Sequence, residues 1–156
     1  MSKNFPYDAS GPHGFENDTQ ALCIYQQVGM PKYIQFHSAK LVNHYMRMKK
    51  YDSAMKYIEI GMDSCKTGVN KFRKGFWLGN MAASLLYLNK PEQSLDYGIQ
   101  AYRAFLAEGN HKGMETTTDL FEQIISVLRN ENAEYLRDSC EKNEFLKEIH
   151  ERFKTS

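Results

Sequence analysis

Apolar side chains recur along most of the chain at intervals of three and four residues, which is the spacing of one face of an α-helix. Between Pro31 and Lys49 the recurring positions are Ile34, Leu41, Tyr45 and Met48. Similar series follow within residues 54–65, 72–88, 95–106 and 114–128. Alternation of period two between turn residues, the pattern of a β-strand, is nearly absent. The pattern predicts an all-α fold of about seven or eight helices.

Glycine, proline and small polar residues indicate where these helices begin and end. Glycine ends a helix because it adopts the left-handed conformation without strain, and proline suits a first helical turn. The helix-ending glycines are Gly29, Gly68 and Gly109, and the first-turn prolines are Pro31 and Pro91. The candidate N-caps are Asn17 (in a capping box with Gln20), Asp52, Asn70 and Asn110. Residues 1–15 are polar, contain Pro and Gly, and are expected to form an irregular arm.

The helical pattern repeats at an offset of 40 residues. KYDSAMKY (50–57) aligns with KPEQSLDY (90–97), and the same offset pairs Leu41 with Met81 and leads on to Phe121. Self-similarity at a fixed period is typical of proteins that stack helical hairpins. The chain therefore contains two clear hairpin units and a third, weaker one.

The residues within each unit resemble the tetratricopeptide repeat (TPR). That family places a large residue, a small residue and an aromatic in the first helix, and a small residue after a tight turn. The matching positions are Leu41, Val42, Tyr45, Tyr51, Ala54, Ile58 and Gly61, then Met81, Ala82, Leu85, Ser94, Gly98 and Ala101. The resemblance covers about residues 31–140. It implies a TPR-like α-solenoid, which is a right-handed superhelix of antiparallel helical hairpins.

This resemblance implies units at 31–68, 70–108 and 110–140, followed by a C-terminal helix at 141–154, in one domain spanning 16–156. The 40-residue spacing exceeds the ~34 residues of the common unit. It is similar to the longer units of bacterial peptide-sensing regulators and kinesin light chains. Glu122 stands where a small residue is expected, so the third unit is degenerate or acts as a cap.

In the family that the chain resembles, the first helices line a concave face that binds extended peptides. The corresponding positions are Phe36, Lys40, Asn43 and Arg47, then Phe76, Asn80, Ala83 and Tyr87, then Thr116, Asp119 and Gln123. The resemblance implies that Asn43 and Asn80 bond a peptide backbone, since an amide both donates and accepts. The alternative is that both are solvated polar positions.

The charges and aromatics near these positions refine the expected ligand. Lys40 and Arg47 favour an acidic peptide or a C-terminal carboxylate. Thr116 and Leu120 stand where chaperone-tail-binding members of the family need basic residues, which argues against that ligand. Trp77 is expected in the core.

Composition and charge exclude several classes of protein. The net charge is +1, and the basic groups at 47–50 and 71–74 are short, so no nucleic-acid partner is expected. No stretch approaches the ~20 apolar residues of a membrane helix. The three cysteines, Cys23, Cys65 and Cys140, are widely spaced and odd in number. They indicate reduced thiols in a cytoplasmic protein rather than a disulfide framework.

No constellation typical of an enzyme is found, and neither a metal nor a cofactor is expected. His37 and His44 lie seven residues apart, whereas helical metal ligands lie three or four apart, so both are interpreted as helix-surface residues. Cys65 and His111 would form a nucleophile pair only through tertiary folding. GxSxG, P-loop and GxGxxG motifs are absent.

The sequence therefore predicts a protein- or peptide-binding module, either an adaptor or a peptide-sensing regulatory domain. Two alternatives stay open, namely a three-repeat chaperone for a secreted or assembling partner and the regulatory part of a longer regulator. Residues 131–153 are amphipathic, with apolar positions at Tyr135, Leu136, Phe145, Leu146, Ile149 and Phe153. This segment is expected either to fold back as a cap or to pair with a second copy, the cap being preferred.

Overall fold

The computed structural model describes residues 12–67 and 74–154, and within them it contains eight α-helices and no strand. The helices are α1 (Pro12–Val28), α2 (Pro31–Arg47), α3 (Tyr51–Cys65), α4 (Lys74–Tyr87), α5 (Pro91–Glu108), α6 (His111–Glu131), α7 (Ala133–Lys142) and α8 (Glu144–Lys154). The predicted all-α class and number of helices are confirmed for the described residues.

The chain divides into two compact units, Met1–Arg73 and Lys74–Ser156. In the first unit α2 packs against both α1 and α3. In the second unit α5 packs along α4 and α6, α4 also contacts α6, and the short helices α7 and α8 contact each other and α6. Neighbouring helices along the chain are therefore also neighbours in space within each unit.

The 40-residue repeat is present in the backbone hydrogen bonds of the first two hairpin turns. At the end of α2, the N–H of Lys50 donates to the carbonyl of Tyr45 at 3.0 Å. At the end of α4, the N–H of Lys90 donates to the carbonyl of Leu85 at 2.9 Å. Each turn places one residue, 49 or 89, in the left-handed conformation, as the Schellman motif requires. The sequence repeat is thus also a repeat of turn geometry.

Left-handed residues occur at Gly29, Lys49, Asn89 and Gly109, which are spaced by 20 or 40 residues. Gly29 and Gly109 suit this conformation because they lack a Cβ atom. Lys49 has φ 58° and Asn89 has φ 63°. Asparagine tolerates the left-handed region better than lysine does, so Lys49 is the strained position of the series.

We expect Lys49→Gly to raise the free energy of unfolding by about 0.5–1 kcal/mol. The left-handed conformation strains a residue that has a Cβ atom, and this strain costs more than the extra backbone entropy that glycine loses on folding. Lys49→Ala is the matched control, since alanine removes the charge but keeps Cβ. Urea unfolding followed by circular dichroism measures both. Equal stability of the two variants would show that the backbone conformation at residue 49 is not strained.

The third hairpin departs from this turn. By the 40-residue offset α6 would end at Val127, but it continues to Glu131. Asn132 then starts α7, its side chain accepting the N–H of Tyr135 at 3.2 Å, and α7 is only 10 residues long. The third unit therefore departs from the other two in having a longer first helix and a shorter second helix.

Several predicted helix ends need correction. Helix α1 begins at Pro12, so residues 12–15 are helical rather than part of an irregular arm. Asp52 lies in the first turn of α3, and the N-cap is Lys50, which makes no side-chain capping bond. Asn110 is confirmed as the N-cap of α6, accepting the N–H of Gly113 at 2.9 Å. Gly68, Asn70 and residues 1–11 lie outside the described residues.

The C-terminal segment folds back as predicted. Its apolar side chains join the core of the second unit with residues of α5 and α6. The buried members of this core are Leu95, Ile99, Phe121, Ile124, Ile125, Leu128, Leu136, Cys140, Leu146 and Ile149. Tyr135, Phe145 and Phe153 pack against them. A dimer through residues 131–153 would need these same side chains.

Polar contacts also attach this segment to α5. The hydroxyl of Tyr135 donates to Asp96 at 2.5 Å, and Arg103 donates to the side-chain oxygen of Asn143. Burial, together with the hydrogen bond and negative charge of Asp96, raises the pKa of Tyr135 to about 12. Asn143 lies between α7 and α8, and its side chain also donates to the carbonyl of Ser139 at 2.9 Å.

A phenylalanine of α5 lies against glycines of two other helices. A Cβ atom placed on Gly75 of α4 would lie 2.5 Å from the ring of Phe105, and one on Gly113 of α6 would also clash with this ring. The N–H of Gly75 additionally donates to the carboxylate of Glu108 at 3.3 Å. Burial raises the pKa of Glu108, and this hydrogen bond lowers it by a smaller amount.

Candidate functional site

Helix α4 divides cleanly into a buried side and an accessible side. The buried residues are Gly75, Trp77, Leu78, Met81, Ala82, Ser84 and Leu85. Phe76, Asn80 and Ala83 are half-buried and Tyr87 is 50% exposed, at the spacing i, i+4, i+7 and i+11. We call these four residues the α4 face. The prediction that Trp77 belongs to the core is confirmed, since it is fully buried.

Asn80 occupies the middle of the α4 face in a defined orientation. Its Nδ2 donates to the backbone carbonyl of Phe76 at 2.9 Å, one turn earlier. This bond uses one of the two N–H groups of the amide. Among the described residues nothing donates to Oδ1 of Asn80, so the amide retains an acceptor and a donor for another molecule.

The aromatic ring of Phe76 is held by the core beneath it. It packs edge-on against Trp77, with ring centroids 4.9 Å apart and an interplanar angle of 80°. Because Trp77 is buried, the ring of Phe76 rests on a rigid support. A side chain held in this way loses little entropy when it binds a ligand.

Helix α6 carries the predicted positions of the third unit. Thr116, Asp119 and Gln123 are all exposed. The hydroxyl of Thr116 donates to the carbonyl of Lys112 at 2.9 Å, within its own helix. Since α4 contacts α6, Phe76, Asn80, Tyr87 and Gln123 belong to one compact unit.

In the first unit the structure separates the four predicted positions by burial. Asn43 and Arg47 are exposed and Phe36 is half-buried. Lys40 is only 8% exposed, its ammonium lying 3.4 Å from Asp18 and 5.3 Å from the ring centroid of Phe36. The interpretation of Lys40 as a cation available to an acidic ligand is therefore wrong, because Asp18 already balances its charge.

The two predicted asparagines occupy different places in the repeat. At the 40-residue offset Asn43 corresponds to Ala83, and Asn80 corresponds to Lys40. Asn43 is exposed, whereas Asn80 is half-buried and bonded to its own helix. They also belong to different units. The predicted pair is thus two separate amides rather than one repeated element.

A buried charged cluster between α1 and α2 was missed at the sequence level. Asp18 is 1% exposed, and its Oδ1 lies 2.7 Å from Nδ1 of His37. The side chain of His37 is 12% exposed and stacks on Tyr25 at 5.5 Å, so its interpretation as a helix-surface residue is wrong. Asp18 and His37 are 19 residues apart on different helices, and no spacing within either helix indicates their contact.

A second polar cluster, at α7 and α8, was also missed. Sγ of Cys140 lies 3.7 Å from Nδ1 of His150, and Nε of Arg129 donates to Nε2 of the same ring at 3.4 Å. Cys140 is 6% exposed and belongs to the core. This contact therefore attaches α8 to the core. Cys65 and His111, the pair considered from sequence, lie in different units.

Within residues 12–67 and 74–154, no three or more His, Cys, Asp or Glu side chains are grouped so that they could hold a metal ion. None of the helices in these ranges has the length and apolar character needed to cross a membrane. Comparison with known proteins finds no match to any family model, curated protein or solved structure.

Proposed function

We propose that the chain is a TPR-like peptide-binding module and that the α4 face receives an extended polypeptide segment. The observation that carries this proposal is the amide of Asn80, which keeps a donor and an acceptor between two accessible aromatic rings. An extended peptide presents N–H and C=O groups that pair with such an amide whatever its sequence. Aromatic side chains are enriched where proteins bind one another.

The spacing on the helix defines the expected length of the ligand. Phe76 and Tyr87 are 11 residues apart, which is roughly 16 Å along an α-helix. An extended peptide covers that distance with about five residues. We therefore propose a ligand with two apolar or aromatic side chains about five residues apart and a backbone amide between them.

The charge of the ligand depends on fewer groups than the sequence predicted. Lys40 is paired with Asp18, so Arg47 is the one remaining predicted cation, and it lies in the first unit. On α6 the predicted position Asp119 is acidic and exposed, and so are Glu115 and Glu122 beside the other predicted positions. We therefore propose that Arg47 alone favours an acidic ligand.

The proposal includes stacked hairpins in a cytoplasmic protein. Support for stacking comes from α5, which packs along both α4 and α6 in the manner of adjacent repeat units. Support for a reducing compartment comes from Cys23, Cys65 and Cys140, all of which are free thiols.

Selection of a random, unconstrained 12-residue peptide library on the full chain tests the proposal. We expect enriched sequences with the two-anchor pattern, and Asn80→Ala to weaken their binding by about tenfold, or roughly 1.4 kcal/mol. Fluorescence anisotropy with the best peptide measures the dissociation constant. Asn43→Ala, assayed in parallel, shows whether the first unit takes part.

Asn130→Ala is the matched control, since Asn130 also donates to the carbonyl four residues earlier, at 3.4 Å, and is exposed on α6. It should bind like the unmodified chain, and circular dichroism should show that both variants are folded. Failure to enrich any sequence, or equal binding by Asn80→Ala and the unmodified chain, would contradict the proposal.

A further inference from the structure

Helix α1 has an accessible side that carries no charged residue between Gln20 and Val28. Gln20, Cys23, Ile24, Gln27 and Val28 are all exposed and follow the spacing i, i+3, i+4, i+7 and i+8. We call these five residues the α1 face. This spacing places them on one side of the helix, as in helices that pack against another helix. The opposite side carries the buried residues Asp18 and Leu22, and Asp18 contacts α2.

The α1 face exposes large apolar side chains. Ile24 is 57% exposed and Val28 is 61% exposed. Past the turn, Met30 is 41% and Tyr33 is 40% exposed. Groups of large exposed apolar side chains usually mark an interaction site.

The absence of charge is unusual for this chain. Charged residues make up 25% of the sequence, yet none occurs in the 13 residues from Thr19 to Pro31. On α8, by contrast, every exposed residue is charged, namely Glu144, Lys147, Glu148, Glu151 and Arg152. The accessible side of α1 therefore differs from an ordinary solvated helix face.

We propose that the α1 face is a homodimer interface, on which a second copy packs its own α1 in antiparallel orientation. In a two-fold symmetric interface both copies contribute the same patch, so a side chain near the axis packs against the same side chain of the second copy. Apolar side chains meet this condition, whereas a charged group near the axis would face a like charge. The glutamine amides meet it as well, since each donates and accepts.

The charge pattern favours this occupant over a charged partner. A partner that carried acidic or basic side chains would find no counter-charge on the α1 face and would lose their hydration. A second copy brings the same uncharged groups. Contact about the middle of the face would place residue 24 opposite its symmetry mate and residue 20 opposite residue 28.

In this geometry Cys23 can be used to detect the dimer by crosslinking. Cys23 is exposed and lies one residue from the centre of the α1 face. Packed helices lie about 8–10 Å apart, so the two copies of Cys23 would be within reach of a short bismaleimide crosslinker. We expect the full chain to form a crosslinked dimer and Cys23→Ser to abolish it.

Gel filtration with light scattering over a range of protein concentrations is the main test. The full chain is expected to dimerise with increasing concentration, and Ile24→Glu to raise the dimer dissociation constant at least about tenfold, because two like charges then meet at the axis. Leu106→Glu is the matched control: Leu106 is 58% exposed and lies in the second unit, so dimerisation should not change.

A charge-swap experiment tests the symmetry itself. Ile24→Glu and Ile24→Lys are each expected to be monomeric, and an equimolar mixture of the two is expected to dimerise. A chain that is monomeric at every concentration would overturn the proposal. So would a dimer that is insensitive to Ile24→Glu, or one whose crosslinking persists in Cys23→Ser.

Discussion

Replacing Gly113 by alanine is expected to lower the free energy of unfolding of the second unit by about 2–3 kcal/mol, the upper range for overpacking a core. The added Cβ would overlap the ring of Phe105, which also lies against Gly75. Glycines of both α4 and α6 thus lie against the same ring, which limits where the ring can shift. Gly75→Ala is expected to act in the same direction.

Gly79→Ala is the matched control for this prediction. Gly79 lies on the same helix as Gly75, but a Cβ placed there would be 3.7 Å from Phe105, an ordinary contact. Alanine in a helix interior gains about 0.5–1 kcal/mol over glycine, so this variant should be more stable. Opposite signs for two glycine-to-alanine changes near one ring would show that the ring, and not helix propensity, decides the outcome.

Urea unfolding followed by the fluorescence of Trp77 measures these effects, since Trp77 is the single tryptophan and lies in the second unit. A Phe105→Leu background provides a further check. The smaller, flexible side chain should reduce the cost of Gly113→Ala, giving a coupling energy between the two positions. An unchanged cost in that background would contradict a clash with Phe105.

Replacing Asp18 by alanine is expected to lower the free energy of unfolding of the first unit by about 3–5 kcal/mol, the usual cost of removing one partner of a buried ion pair. Asp18 contacts both His37 at 2.7 Å and Lys40 at 3.4 Å. Without the carboxylate, the ammonium of Lys40 stays buried and loses the negative charge that lies 3.4 Å from it. Docking of α1 on α2 should weaken most.

Asp63→Ala is the matched control, since the pair of Asp63 with Lys66 is 72% and 78% exposed and should contribute almost nothing. Adding Lys40→Met to Asp18→Ala should recover part of the lost stability, because the buried charge is then gone. Urea unfolding followed by circular dichroism measures all these variants. An Asp18→Ala variant as stable as Asp63→Ala would show that the cluster does not hold α1 in place.

Much of the local structure could be predicted from the sequence because it depends on neighbours along the chain. The interval of three and four residues predicted the helices, and Gly29, Gly109, Pro31 and Pro91 lie at the helix boundaries where they were expected. Turn geometry involves six consecutive residues, so the 40-residue repeat in the sequence reappears as repeated backbone hydrogen bonds. The amphipathic spacing of the C-terminal segment is local in the same sense, and it indicated which side chains would be buried.

The candidate site was predictable only in outline. The resemblance to the TPR family implied Phe76, Asn80 and Tyr87 as ligand-binding positions, and the structure leaves these three residues on the accessible side of α4. The resemblance could not place Lys40, which shares its repeat position with Asn80 but is buried against Asp18. The depth of a helix position depends on which other helix covers it, and α1 covers α2 in the first unit.

The sequence by itself thus determined the helices, most of their ends and the repeat. Only the tertiary structure decided that Asp18 contacts His37 and Lys40 and that Phe105 lies against two glycines. It also showed that α6 continues past the residue at which the repeat would end it. The physical reason is range. Helical period and turn chemistry act within about six residues, whereas burial and charge pairing join residues 8 to 30 positions apart through helix packing.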